Sequence, residues 1–182
     1  MTAMPAKNTP QIDITIEDDR WGEILPEQKI HALIGTICES LPDDHDLQGL
    51  DGHFEVSITL CNDPFIQDIN KEWRGKDKPT NVLSFPQFDD IAEEAAFLPE
   101  EVAAPLGDIF IAYDTVKRES VEQDKTMHDH SMHMFVHGFL HLIGYDHIED
   151  DEAEEMEALE IKILQRINIA NPFENMYIET IN

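Results

Sequence analysis

Cysteine is nearly absent from the sequence: Cys38 and Cys61 are the only two in 182 residues, and they form no CxxC pair. That excludes a disulfide framework and a thiolate metal knuckle, and it leaves both thiols as small buried hydrophobes in a reducing compartment. Long apolar runs are missing as well. Nowhere do eighteen apolar residues follow one another, and Met1 to Pro10 offers Lys7 but no apolar stretch, so the expectation is a cytoplasmic protein without secretion signal or membrane span. Basic residues are scarce, with 12 Lys and Arg against 39 Asp and Glu, a formal net charge of −27. As an average this repels nucleic-acid phosphates, so any RNA contact must come from a local basic cluster, from Mg²⁺ or from partner proteins. Such a cluster exists at Lys71, Arg74, Lys76 and Lys78, while acids gather at Asp89 to Glu101 and Glu149 to Glu160. No internal repeat is present, and the chain reads as one domain over 1–182, long enough to bury its own core.

Strand periodicity is found at Ile12, Ile14 and Ile16, and again over residues 53–61, where Phe54, Val56, Ile58 and Leu60 alternate with polar neighbours. Asn81 to Phe85 and Gly107 to Ala112 read as two further strands. The first helical pattern runs from Pro26 to Ser40, with Ile30, Leu33, Ile34, Ile37 and Cys38 on one face. A second starts at Pro64 behind an Asn62 or Asp63 cap and repeats Phe65, Ile66, Ile69 and Trp73 at helical spacing. Asp114 can cap a third from Thr115 to about Gln123, and Thr126, three residues before Asp129, opens a fourth that continues through His141. From Glu149 an acidic helix packs Met156, Leu159, Ile161, Ile163 and Leu164 with its charges solvated, Pro172 ends it, and the last ten residues are expected to fray. Arg74 to Thr80 forms a polar loop whose basic side chains can face a ligand, and 86–105, with six acids and three prolines, is expected to be a mobile acidic insertion.

Chemistry concentrates between His137 and His147, in the order His-Gly-Phe-Leu-His-Leu-Ile-Gly-Tyr-Asp-His. On a helix, His137 and His141 lie one turn apart with Cβ atoms about 6 Å from each other. Gly144 can end the helix with positive φ and swing His147 back toward the pair. Three neutral imidazoles suit zinc and leave a fourth position open, as in a catalytic site. His133 lies on the same face and reads as a hydrogen-bonded or partly exposed histidine, with a supporting contact to the ligands as the alternative. His128 and His130 read as surface residues, and Asp146 as a turn residue that could also orient a ligand. The spacing matches the metzincin signature HExxHxxGxxH, but Gly138 replaces the glutamate that serves as general base there. A peptidase loses its proton acceptor, and tight packing is the expected reason for the glycine.

HGFLHLIGYDH, together with WRGKDKPTNVLSFP at Trp73 to Pro86 and LGDIFIA at Leu106 to Ala112, resembles the YbeY family of bacterial rRNA-maturation endoribonucleases over roughly residues 10–168. The resemblance implies an α+β hydrolase fold, a small mixed four-stranded sheet packed with about five helices and a metzincin-like histidine site. It implies one Zn²⁺ per chain on His137, His141 and His147, and a role in activity for Arg74. It further implies single-strand-specific cleavage of RNA in rRNA maturation and ribosome quality control, with the small ribosomal subunit and its assembly factors as partners and neither DNA nor membrane involved. In this picture Lys76 and Lys78 guide the RNA backbone. Asn81 stands where many members carry Asp, and the acidic 86–105 segment is longer than usual. A non-enzymatic assembly factor with a structural zinc is the rival of a different class.

Overall fold

The computed structural model describes residues 9–174; the stretch before residue 9 and most of the tail expected to fray lie outside them. Twelve elements follow in chain order among the described residues: β1 (Gln11–Ile16), α1 (Trp21–Ile24), α2 (Glu27–Ser40), α3 (Asp46–Gly49), β2 (Phe54–Cys61), α4 (Asp63–Arg74), β3 (Val82–Pro86), α5 (Ile91–Ala95), β4 (Ala104–Ala112), α6 (Tyr113–Glu122), α7 (Met127–Leu142) and α8 (Asp150–Arg166). The sheet is mixed and four-stranded in the order β1-β2-β4-β3, with β1, β2 and β4 parallel and β3 antiparallel along β4 at one edge. This is the expected α+β architecture. The five long helices are the ones that carry helical periodicity; α1, α3 and α5 are single turns of four or five residues in stretches that read as loops.

Phe54, Val56, Ile58 and Leu60 of β2 and Ile109 and Ile111 of β4 turn one sheet face into the core, where Phe135 and Phe139 of α7 are fully buried. α7 packs on β3 and β4 and is flanked by α6 and α8. Because it is enclosed on several sides, eleven of its sixteen residues are buried, far more than a surface stripe provides. α8 is fastened to α2 at its far end, where Lys162 Nζ donates to the Ser40 carbonyl at 2.8 Å and Arg166 pairs with Glu39 at 2.6 Å.

Several local expectations change. Asn62 is the cap of α4, accepting from the Phe65 amide at 3.1 Å, but Asp114 does not cap its own helix. Asp114 accepts from the Asp63 amide at 3.2 Å, and Asp63 accepts from Thr115 at 2.9 Å, so each acid closes the start of the other helix. Arg74 is the last residue of α4 instead of a loop residue, because Gly75, at φ +68°, is where the helix terminates. Trp73 does not join the apolar face: it is 68% exposed. The acidic insertion contains α5, whose Ile91 is buried against the main core. Cys61 is buried and Cys38 half-buried, and burial pushes their thiols up to about 12 and about 11, so neither is a nucleophile at neutral pH. No helix among the described residues is long and apolar enough to cross a membrane.

Candidate metal centre

The Thr126 hydroxyl accepts from the Asp129 amide at 3.0 Å and starts α7 in the register that puts His130, His133, His137 and His141 along one side. Four turns later the helix ends at Leu142, and just past it Gly144 reverses the chain at a φ of +105°, one that side chains rarely tolerate. The reversal brings His147 beside the two helical histidines, and ligand atoms of His137, His141 and His147 all lie within 4.8 Å of one another. The spacing in the sequence therefore becomes a three-imidazole cluster at the carboxyl end of α7.

The tautomers follow from what stands behind each ring. His141 Nδ1 is 2.9 Å from the Tyr145 carbonyl, which can only accept, so the proton sits on Nδ1 and Nε2 keeps its lone pair. His137 Nδ1 is 2.6 Å from Glu160 Oε1. Burial works to raise the Glu160 carboxyl, but hydrogen bonds from His133 and His137 outweigh it and hold the group at about 2, ionised. His137 accordingly also presents Nε2 as a lone pair. The two Nε2 atoms are 3.1 Å apart. With both protons on the far side, two lone pairs face each other, an arrangement that repels unless a cation sits against both. Burial, followed by the neighbouring His137 and His147, also lowers the His141 pKa and favours the neutral form that ligates. The donor set fits a metal ion.

His147 is exposed, and Asp146 Oδ1 accepts from its backbone amide at 2.7 Å, which is the turn role expected for that acid. The three histidines form one wall of a cleft of about 510 Å³ whose other walls include Arg74, Asn81, Ser84, Phe88 and Asp89. Arg74 reaches it from the end of α4: Nη2 donates to the Ser84 carbonyl at 3.2 Å and the guanidinium lies 5.4 Å from the Phe85 ring centroid. Lys76 and Lys78 are exposed on the loop that follows and do not line this cleft. Asn81 spans two partners, with Oδ1 accepting from the Val82 amide at 2.7 Å and Nδ2 donating to Glu119 at 3.1 Å.

Gly138 has the packing explanation. A Cβ there would sit 2.8 Å from Val82 Cγ2 and 3.2 Å from Ser84 Oγ, and Ser84 Oγ already donates to the Gly138 carbonyl at 2.7 Å. Of the two remaining histidines on this side of α7, one departs from the sequence reading and one bears it out. His130 is not on the surface but 1% exposed, with Nε2 2.9 Å from Glu119. His133 is buried, its Nε2 3.2 Å from the same Glu160 that holds His137, so it is both hydrogen-bonded and a supporting neighbour of the cluster.

Glu160 is the residue of this cluster that sequence reasoning misses, because it reads as one of the solvated acids of α8. A signal was present: positions 156, 159, 160, 163 and 164 form one helical stripe, and four of them are Met, Leu, Ile and Leu. An acid on an apolar stripe needs a buried partner.

The profile described as "Endoribonuclease YbeY" matches residues 14–168. A protein named Endoribonuclease YbeY from Rhizobium leguminosarum bv. trifolii is 53% identical over 165 residues, 90% of this chain and 92% of the relative. One of the same name from Sinorhizobium fredii is 51% identical over 172 residues, covering 89% and 91%. Another from Methylocella silvestris is 43% identical over 167 residues, covering 91% and 86%. A solution structure of a Thermotoga maritima protein superposes with a TM-score of 0.54 at 23% identity over 93% of both chains, a likeness of fold. The matched span contains all three histidines, Arg74 and Glu160, and on this evidence the chain belongs to the endoribonuclease YbeY family.

Proposed function

We propose that this protein is a zinc-dependent endoribonuclease that cuts single-stranded RNA during rRNA maturation and ribosome quality control in the cytoplasm, with the small ribosomal subunit and its assembly factors as its partners. The observation that carries the reading is the cleft in which three imidazoles face a guanidinium. His137, His141 and His147 would hold one Zn²⁺, which when bound supplies Lewis acidity toward a phosphoryl oxygen and a water molecule. Arg74 contributes a fixed positive charge that pairs with the scissile phosphate and the charge that grows on it. Its hydrogen bond to the Ser84 carbonyl and its position over Phe85 limit where that charge can go. Lys76 and Lys78, exposed beyond it, would meet phosphates further along the strand. A peptidase is disfavoured twice, since position 138 has no base and no room for one.

The test is cleavage of unstructured RNA by metal-quantified protein. Arg74→Ala should lower turnover at least tenfold with metal content and fold unchanged, whereas His141→Ala should lose the metal itself. An Arg74→Ala protein as active as its parent, or a His141→Ala protein that keeps one zinc per chain, overturns the assignment. The product ends bear on the route: a 2′,3′-cyclic phosphate marks attack by the RNA 2′-hydroxyl and eliminates direct attack by water as the sole route. Ribosome binding without any metal-dependent cleavage would favour the non-enzymatic assembly factor.

A further inference from the structure

The sheet has a second face, away from α7, and it is only partly covered. Leu83 and Phe85 of β3 and Phe110 of β4 point to it, and α4 lies across one part with Phe65, Ile66 and Ile69. From α4 onto the two strands the aromatic rings form a row whose Trp73 end is open to solvent. Trp73 and Phe85 have centroids 6.4 Å apart, Phe85 and Phe110 5.9 Å, and Phe110 and Phe65 6.3 Å, and the three phenylalanines are only partly buried. Trp73 at the end of the row is 68% exposed, although α4 has the apolar spacing to bury it. A tryptophan left in water at the rim of an aromatic cluster is unfavourable for a protein with nothing to place on it.

Charge indicates what belongs there. In a chain of net charge −27, Arg74 lies against this row, and the loop that follows Trp73 and Arg74 in the chain carries Lys76 and Lys78, neither of which makes an ion pair among the described residues. Arg74 links the two sides of the edge strand, since its guanidinium lines the histidine cleft and also lies 5.4 Å from the Phe85 ring. Exposed aromatic faces beside backbone-tracking cations form the stacking platform of proteins that hold unpaired nucleotides, because every base has a π-face and a duplex hides it. Apolar protein partners would not call for the cations, and an acidic peptide would not call for the row of rings.

We propose that Trp73 and the neighbouring Phe85 form a base-stacking subsite for single-stranded RNA, placed so that a strand bound there passes Arg74 and enters the histidine cleft. It rests on the endoribonuclease reading and extends it by naming the residues that select unpaired RNA. The chain has two tryptophans, and Trp21 is wholly buried, so emission that changes on RNA binding reports Trp73.

Metal-free protein titrated with a short oligoadenylate should show quenching of the exposed tryptophan, and the same oligonucleotide annealed to its complement should not. In Trp73→Phe the quenching disappears while RNA affinity stays within about threefold. Trp73→Ala should raise the KM for single-stranded RNA cleavage about tenfold, and Phe97→Ala, an exposed aromatic in the acidic segment, should leave it unchanged. The inference is overturned if Trp73→Ala cleaves with an unaltered KM, or if duplex quenches as well as single strand. A surface covered by a protein instead would leave both readouts unmoved and overturn it too. If wild-type, metal-loaded protein cuts no RNA at all, it is the endoribonuclease reading that fails, and the quenching still judges the subsite.

Discussion

At the level of single residues, the site depends on two positions that carry no catalytic group. Gly138 lets α7 approach the edge strand, and the space its side chain would take belongs to Val82 and Ser84. Gly138→Ala gains about 1 kcal/mol of helix propensity but forces contacts that cost about 1–3 kcal/mol, so chemical denaturation should show a net loss of about 1 kcal/mol. A variant more stable than the parent would mean that β3 yields easily. Glu160 works from behind, fixing the tautomer and direction of His137 at 2.6 Å. Supporting carboxylates of this kind are worth about 10–100-fold in metal affinity, so Glu160→Gln should weaken zinc binding by that factor in a competition titration; unchanged affinity would reduce Glu160 to a packing role. The three-histidine cluster is legible from spacing alone because one helix and one turn set its geometry. Glu160 was not, since its meaning depends on a contact with a helix that precedes it in the chain.

Among the elements, α4 shows how far local pattern carries. Asn62 as cap and Pro64 in the first turn mark its start in the sequence, and both are found there. Its end lies one residue beyond the Trp73 that helical spacing marks, with real consequence, because Gly75 closes the helix after Arg74 and so hands the guanidinium a rigid base. The Gly75 amide bonds back to Asn70 and Lys71 carbonyls at φ +68°. Gly75→Ala should cost about 1 kcal/mol in thermal or denaturant unfolding, and Gly75→Asn clearly less, since asparagine tolerates the left-handed region. Equal losses would place the cost in something other than backbone strain. Trp73 illustrates the opposite case, in which helical spacing is correct but exposure is decided by where the sheet ends. Asp114 and Asp63 exchange caps between α6 and α4, an arrangement that no window of adjacent residues reveals.

For the whole molecule, the order of strands and the antiparallel placement of β3 could not be read from periodicity, which says nothing about which strands pair. The four strands are legible from periodicity and their union in a mixed sheet from the family resemblance, while the order β1-β2-β4-β3, which places the edge strand β3 beside α7, is legible from neither. Net charge was misleading as an average and informative as a distribution. Lys71 is held by Asp77 at 2.9 Å, which leaves Arg74, Lys76 and Lys78 as the cations of that stretch without an ion pair among the described residues. Three phosphate contacts to a single strand give a slope of about −2 for log affinity against log salt, and a slope twice as steep would require a basic surface elsewhere. The connection from α7 to α8 has one further consequence, for time instead of affinity. His137 and His141 are each held from behind, at Glu160 and at the Tyr145 carbonyl, while His147 is exposed on the turn between the helices. An ion in this site would exchange by way of His147, so its residence time is set by how often that turn opens, and a tight site on the helix can still be a quick one to empty.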